Sequence, residues 1–219
     1  MSSMQDHFLV HPHRANTPLE LRCLSRSKGA KSYMFYPDDY SSQQEQKVAF
    51  YDKALASNQL GFNCYTPINF IKSDFRAAPG KGVTQNEIAW RCKLMIDCDR
   101  TSKVGKGQPA TDDELKRAEI FADSVSAYLE MQDWVKPYKV MSGNGYHLYI
   151  PITDLINNDE SDLLIKEVLE TLAQQFNTAE FEIDTVVFDA ARITKVIGTK
   201  AIKGDETSDR PHRTVELIK

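Results

Sequence analysis

The segment KLMIDCDR, residues 93–100, decides how the chain is read. Three apolar residues, Leu94, Met95 and Ile96, run into two aspartates separated by Cys98. Side chains on a β-strand alternate with a period of two, so Asp97 and Asp99 point to the same side. Two carboxylates side by side repel each other, and an apolar strand that delivers both at its end calls for a cation between them. The bland alternative is a turn cap or a solvated strand end.

Outward from this strand the pattern mixes helices with hairpins. LELRCLS (19–25) and SYMFYP (32–37), joined by RSKGAK, predict a hairpin. SSQQEQKVAFYDKALASNQLG (41–61) predicts a helix, with Ser42 and Glu45 as a capping box, Val48, Tyr51 and Leu55 as its stripe and Gly61 as its end. FNCYTPINF (62–70) reads as a strand that stops near Pro67, and the continuous apolar run RCKLMIDCD (91–99) as a central one. TDDELKRAEIFADSVSAYLEMQ (111–132) predicts a helix capped by Thr111 and Glu114, with Leu115, Ala118, Ala122, Val125 and Leu129 on one face. YKVMSGNGYHLYIPI (138–152) predicts two strands about a glycine turn. SDLLIKEVLETLAQQF (161–176) predicts a further helix, and EFEID (180–184), RITKVI (192–197) and RTVELI (213–218) short strands. This order predicts an α+β fold with antiparallel pairing rather than a doubly wound sheet.

The composition is that of a globular chain, 41% apolar and 26% charged over 219 residues. No apolar run approaches the length of a membrane span, and MSSMQDHFLVHPHR at the start lacks the apolar core of a signal peptide. Cys23, Cys64, Cys92 and Cys98 form no CxxC pair, which argues for reduced thiols and against zinc. The formal charge of −4 argues at first against a nucleic-acid partner, but the charges are segregated. Residues 111–133 carry seven acids against two bases, whereas residues 192–213 carry six bases against three acids. The acids lie on expected helices, the bases on expected strands and loops, so an acidic chain can still present a basic cleft.

Two enzyme chemistries compete for the aspartate pair. LMIDCDRTS (94–102) resembles the hhhDxDxT motif of haloacid-dehalogenase-type phosphatases, with Asp97 as nucleophile, Ser142 in VMS as a strand-end serine and GDETSD (204–209) as a second acidic motif. That motif should follow an apolar strand, yet it follows the basic stretch GTKAIK. The second chemistry takes in more residues. Ser142, Gly143, Asn144 and Gly145 form a tight turn suited to exposing N–H groups and a hydroxyl to phosphate, and His147 follows one residue into the next strand. Asp184 then ends EFEID on the polar face it shares with Glu182, whereas Asp189 in FDAAR reads as a turn or helix cap. Arg192, Lys195, Lys200 and Lys203 follow as bases.

On these motifs the chain resembles the archaeo-eukaryotic primase superfamily, in its bacterial, phage and plasmid primase-polymerase branch. LMIDCD matches the strand-borne DxD, SGNGYHLY resembles the SxH hairpin with Gly145 where the strict form has serine, and Ile183-Asp184 matches the third motif. The resemblance covers roughly residues 19–213, and GTKAIKGDETSDRPHR resembles the closing loop. It implies an N-terminal α/β module, about 19–90, fused to an RRM-like catalytic module, about 91–219, after a mobile N-terminus over 1–18. It implies a template-dependent DNA primase and polymerase in which Asp97, Asp99 and Asp184 hold two Mg²⁺ or Mn²⁺ ions. Ser142, Gly143, Asn144, Gly145, His147, Arg192 and Lys195 would contact the nucleotide, and Lys200, Lys203, Arg210 and Arg213 the template. The implied partners are single-stranded DNA template and primer, dNTP or NTP, and a replicative helicase, in the cytoplasm. A non-catalytic RRM-like binding module is the remaining alternative; it should carry the stacking aromatics of a GFGF-type strand, which the sequence lacks.

Overall fold

The computed structural model describes residues 3–78 and 80–219. It consists of two antiparallel sheets with four α-helices, the α+β fold expected from the sequence. The first sheet contains β1 (Leu19–Ser25), β2 (Gly29–Phe35), β3 (Asn63–Pro67) and β9 (Ile193–Lys195) in the order β2-β1-β3-β9. The second contains β4 (Phe70–Ile71), β5 (Ile88–Arg100), β6 (Tyr138–Met141), β7 (Tyr146–Ile156) and β10 (Glu216–Ile218) in the order β10-β6-β7-β5-β4. β8 (Phe181–Ile183) pairs with the far end of β5.

The aspartate strand is the backbone of the second sheet. β5 pairs with β7 along most of its length, and Asp97 lies directly opposite His147. Its period-two pattern sends Leu94, Ile96 and Cys98 into the main core, together with Leu148 and Ile150 of β7. Two helices complete that core. α3 (Asp112–Met131) contributes Ala118, Phe121, Ala122, Val125 and Leu129, and α4 (Asp159–Phe176) contributes Ile165, Leu169 and Leu172. Each such valine, leucine, isoleucine or phenylalanine side chain contributes roughly 1.5–3 kcal/mol when fully buried. The capping box on Thr111 is present: its hydroxyl accepts from the Glu114 N–H at 3.1 Å and Glu114 accepts from the Thr111 N–H at 3.0 Å.

The first sheet packs on α2 (Gln43–Gln59) through Leu21, Cys23, Phe35, Phe50, Tyr51, Ala54 and Cys64. The sequence put Val48, Tyr51 and Leu55 on the inner stripe, but Val48 is exposed and Phe50 is fully buried. The face is decided by Phe50 and Ala54 meeting the sheet, and by Gln46, whose amide donates to the Thr17 and Phe35 carbonyls and can therefore be buried. Glu45 reaches back to Ser41 rather than to the cap residue Ser42.

Two further features depart from the sequence reading. The segment expected to be a mobile N-terminus contains α1 (Ser3–Val10), with His7, Val10 and His11 buried. Lys93 anchors it by donating to the Val10 carbonyl at 2.5 Å and meeting His11 Nδ1 at 3.1 Å. The two sheets also draw strands from both sides of residue 90. β4 lies before residue 90 yet joins the second sheet, and β9 lies after it yet joins the first.

Candidate functional site

Cross-strand register gathers the acids. Cys98 pairs with Ile183 and Asp99 with Glu182, so Asp97 and Asp99 share a face with Glu182 and Asp184. The Asp184 N–H donates to the Asp97 carbonyl at 3.0 Å, which holds the end of β8 against the aspartate strand. Burial, then the charge of Asp184, pushes the Asp97 carboxyl up to about 6. Burial and Asp97 likewise raise Asp99. Both shifts come first from burial and then from the neighbouring carboxylate, with nearby lysines opposing them.

Three lysines supply that opposing charge. Lys106 Nζ lies 2.8 Å from Glu182 Oε1 and 3.9 Å from Asp99 Oδ2. Lys203 Nζ lies 4.0 Å from Asp99 Oδ2. Lys195 donates to the Ser142 carbonyl at 2.7 Å, and burial, with Lys203 nearby, lowers it to about 8. Sequence reasoning did not single out Lys106 or Glu182. Glu182 was visible as the polar-face neighbour of Asp184, but only the β5–β8 register puts it opposite Asp99.

His147 projects from β7 on the same side, with Nε2 3.5 Å from Asp97 Oδ1. Burial, then Lys195, lowers it to about 3, so the imidazole is neutral. Its Nδ1 lies 2.8 Å from the Tyr149 hydroxyl, which also bonds the Thr194 hydroxyl. The turn before it is tight. Gly143 has φ +98°, and a Cβ there would lie 2.2 Å from that of Ala201. A Cβ on Gly145 would lie 2.6 Å from the Cys98 carbonyl oxygen, so glycine lets the turn lie directly on the aspartate strand.

Other expected site residues are engaged elsewhere. The Ser142 hydroxyl donates to the Gly145 carbonyl, and the Asn144 side chain accepts from the Ala110 N–H, so both stabilise the turn. Arg192 pairs with Asp189 at 2.7 Å rather than facing the carboxylates. Asp184 also caps the short 3₁₀ turn Thr185–Phe188 by accepting from the Val186 N–H at 3.0 Å, the capping role that the sequence gave to Asp189. Lys200 pairs with Thr214 in an isolated bridge and lies beside Asn58. Arg210 forks onto Glu114 with two contacts of 2.8 Å, and Arg213 reaches Asp112 at 2.6 Å and the Ala110 carbonyl at 2.7 Å. Glu114 also pairs with the fully buried Arg100, so these arginines fasten the closing loop and β5 to the start of α3. Of the four bases assigned to template, Lys203 alone is within ion-pair distance of an aspartate of the pair.

The donor set suits a hard divalent cation. The acids offer oxygen ligands only, and burial first, then a neighbouring carboxylate, raises Asp97 and Asp99. Among the described residues no group of three or more histidine, cysteine, aspartate or glutamate side chains is placed to hold a metal ion. Mg²⁺ or a similar ion does not require such a group, since it is usually held by one or two carboxylates together with water and substrate phosphates. The segment 204–209 lies in the closing loop and not after an apolar strand, which removes the arrangement that the phosphatase reading required. No helix among the described residues is long and apolar enough to cross a membrane.

No protein-family model matches the chain, and no curated protein matches it by sequence. Solved structures do match. The primase-polymerase domain of cyanophage S-2L superposes with a TM-score of 0.57 at 13% identity, over 99% of this chain and 88% of that one. The polymerase domain of Mycobacterium tuberculosis ligase D, solved in complex with DNA, superposes with a TM-score of 0.52 at 16% identity, over 97% of this chain and 77% of that one. With two antiparallel sheets that exchange strands around a carboxylate-bearing β5, the chain carries the archaeo-eukaryotic primase-polymerase fold.

Proposed function

We propose that the protein is a template-dependent nucleotidyltransferase that adds nucleotides to a primer 3′-hydroxyl on a DNA template. The observation that carries this reading is the face shared by Asp97, Asp99 and Asp184, bordered by His147 and three lysines, in a fold whose solved examples include DNA polymerase domains. Asp97, Asp99 and Asp184 would hold two divalent ions. Bound there, Mg²⁺ or Mn²⁺ supplies activation of the 3′-hydroxyl and neutralises charge that develops on the triphosphate.

The protein's own groups bind and orient. Lys106, Lys195 and Lys203 offer ammonium groups to the triphosphate and exchange their carboxylate and carbonyl contacts for phosphate oxygens on binding. His147 presents its ring beside Asp97. The Ser142–Gly145 turn sets the distance between β7 and the aspartate strand, since only glycine at 145 permits that approach. Lys106, Lys195 and Lys203 also attract the phosphates of DNA, so affinity falls with salt.

The test is incubation of the purified chain with primed template, dNTPs and Mn²⁺, beside a phosphatase assay on a generic phosphomonoester. Primer extension without phosphatase activity is expected. Phosphatase activity without extension would overturn the reading, and DNA binding with neither activity would leave a binding module.

A further inference from the structure

The outer side of α3 and α4 carries a trough that the nucleotide chemistry does not use. Between the end of α3 and the middle of α4 lies a cavity of about 470 Å³, with Trp134 and Leu164 in its wall. A second cavity, of about 350 Å³, lies at the start of α4 and is lined by Ile156 and again by Leu164. Leu164 borders both, so the two form one trough across α4. Ile156 is 62% exposed, Leu164 49% and Trp134 36%, an apolar row left open to water. Core packing does not account for that row. α4 contributes Ile165, Leu169 and Leu172 to the core, whereas Leu164 stays outside it. The trough also lies on the far side of the second sheet from the aspartates. Leu94, Ile96 and Cys98 face the core that α3 and α4 cover, and Asp97 and Asp99 alternate to the other side.

Charge selects the occupant. The charged residues lining the trough are Asp154, Glu160 and Glu167, with no lysine or arginine there among the described residues. Asp154 is paired with Arg14, whereas Glu160 and Glu167 are exposed and enter no ion pair among the described residues. A second copy docked through the same trough would set acid against acid. Nucleic acid and anionic lipid present phosphates, which these carboxylates repel. A segment with apolar anchors flanked by lysine or arginine satisfies both the row and its rim. The walls are helices, the setting in which an amphipathic helix lays down anchors at i, i+4 and i+7. We propose that the α3–α4 trough is a docking site for a basic amphipathic helix of a partner protein, which binds while the aspartate face stays open.

The full chain with Trp90→Phe keeps Trp134 as its single tryptophan, so fluorescence reports binding at the trough. The probe is a synthetic helix of about 15 residues, with leucines at helical spacing and lysines beside them; a twin carries glutamate at every lysine. At low salt the lysine peptide is expected to bind saturably with a shift in Trp134 emission. The glutamate peptide should bind more weakly by roughly tenfold, the scale of two exposed ion pairs. Glu160→Lys combined with Glu167→Lys should reverse that preference, and Leu164→Ser should weaken the lysine peptide. Asp52→Lys, an exposed charge reversal on α2, should leave binding unchanged. No binding by the parent chain, equal binding of the two peptides, or an equal loss in Asp52→Lys overturns the proposal. So does a dimer in light scattering that Leu164→Ser dissolves, which would assign the trough to a second copy. Tighter binding to phosphatidylserine vesicles than to the lysine peptide would overturn it in favour of a membrane. No step of this test needs primer extension, so its failure is separate from a failure of the proposed function.

Discussion

Asp184 has two roles that a single substitution separates. Its Oδ1 accepts from the Val186 N–H, and its charge raises Asp97. Asparagine caps about as well as aspartate but carries no charge. Asp184→Asn should therefore melt near the wild type and lose nucleotide incorporation by orders of magnitude. Asp189→Asn removes a half-exposed pair with Arg192, worth at most about 1 kcal/mol, and should stay active. Incorporation rate and melting temperature for both variants check this; an inactive Asp189→Asn beside an active Asp184→Asn would reverse the assignment. The alternation of Asp97 with Asp99, and of Glu182 with Asp184, was legible in the sequence because period two needs no tertiary information. Lys106 was not, because it sits in the irregular loop after β5, whose path is set by contacts with Glu182 and Asp99. Arg210 and Arg213 look from the sequence like free bases; their carboxylate partners lie about a hundred residues away on α3.

At the scale of elements, the hairpin β6–β7 and the helix α1 each make a claim that can be measured. Gly145→Ala places a methyl group 2.6 Å from the Cys98 carbonyl, which is backbone and cannot swing aside. Such overpacking typically costs about 1–3 kcal/mol, and the turn must lift from the aspartate strand. Gly145→Ala should lower the melting temperature and reduce incorporation more than its stability loss explains, read by extension assays well below its melting point. α1 is anchored by Lys93, whose burial lowers its pKa from 10.5 to about 8. The folded state therefore binds the proton less tightly than the unfolded chain, so this group adds stability as pH rises from about 8 towards 10.5 and opposes folding below 8. The melting temperature of the wild type relative to Lys93→Met should rise between pH 8 and pH 10. A constant difference would mean that the ammonium is not desolvated. The helices α2, α3 and α4 were readable from caps and stripes, but the inner face of α2 was not, since Phe50 rather than Val48 meets the sheet. α1 was not readable either, because its burial depends on Lys93 and Tyr149 from distant strands.

For the whole molecule, the exchange of β4 and β9 means that neither sheet is complete without chain from the other half. Contacts such as the Ile68 N–H to the Arg192 carbonyl, 3.0 Å, cross the division that the sequence suggested near residue 90. Unfolding should accordingly be one cooperative transition, with coincident melting by far-ultraviolet circular dichroism and tryptophan fluorescence; two separated transitions would contradict the interleaved architecture. The same exchange brings β9, with Lys195 and Thr194, to the β6–β7 hairpin that pairs with the aspartate strand. The general class of the fold was legible from the order of helices and hairpins, whereas strand exchange was not, because a three-residue strand carries too little pattern to name its partner. The central claim is that the acidic face of β5 and β8 performs nucleotide transfer. Single-nucleotide incorporation on a primed DNA template with Mn²⁺ tests it most directly, comparing the wild type with Asp97→Asn and Asp99→Asn after each is shown to be folded and to bind template. Incorporation by the wild type and its loss by at least a hundredfold in both variants is the predicted result; equal rates in all three, or none in the folded, template-bound wild type, would contradict it.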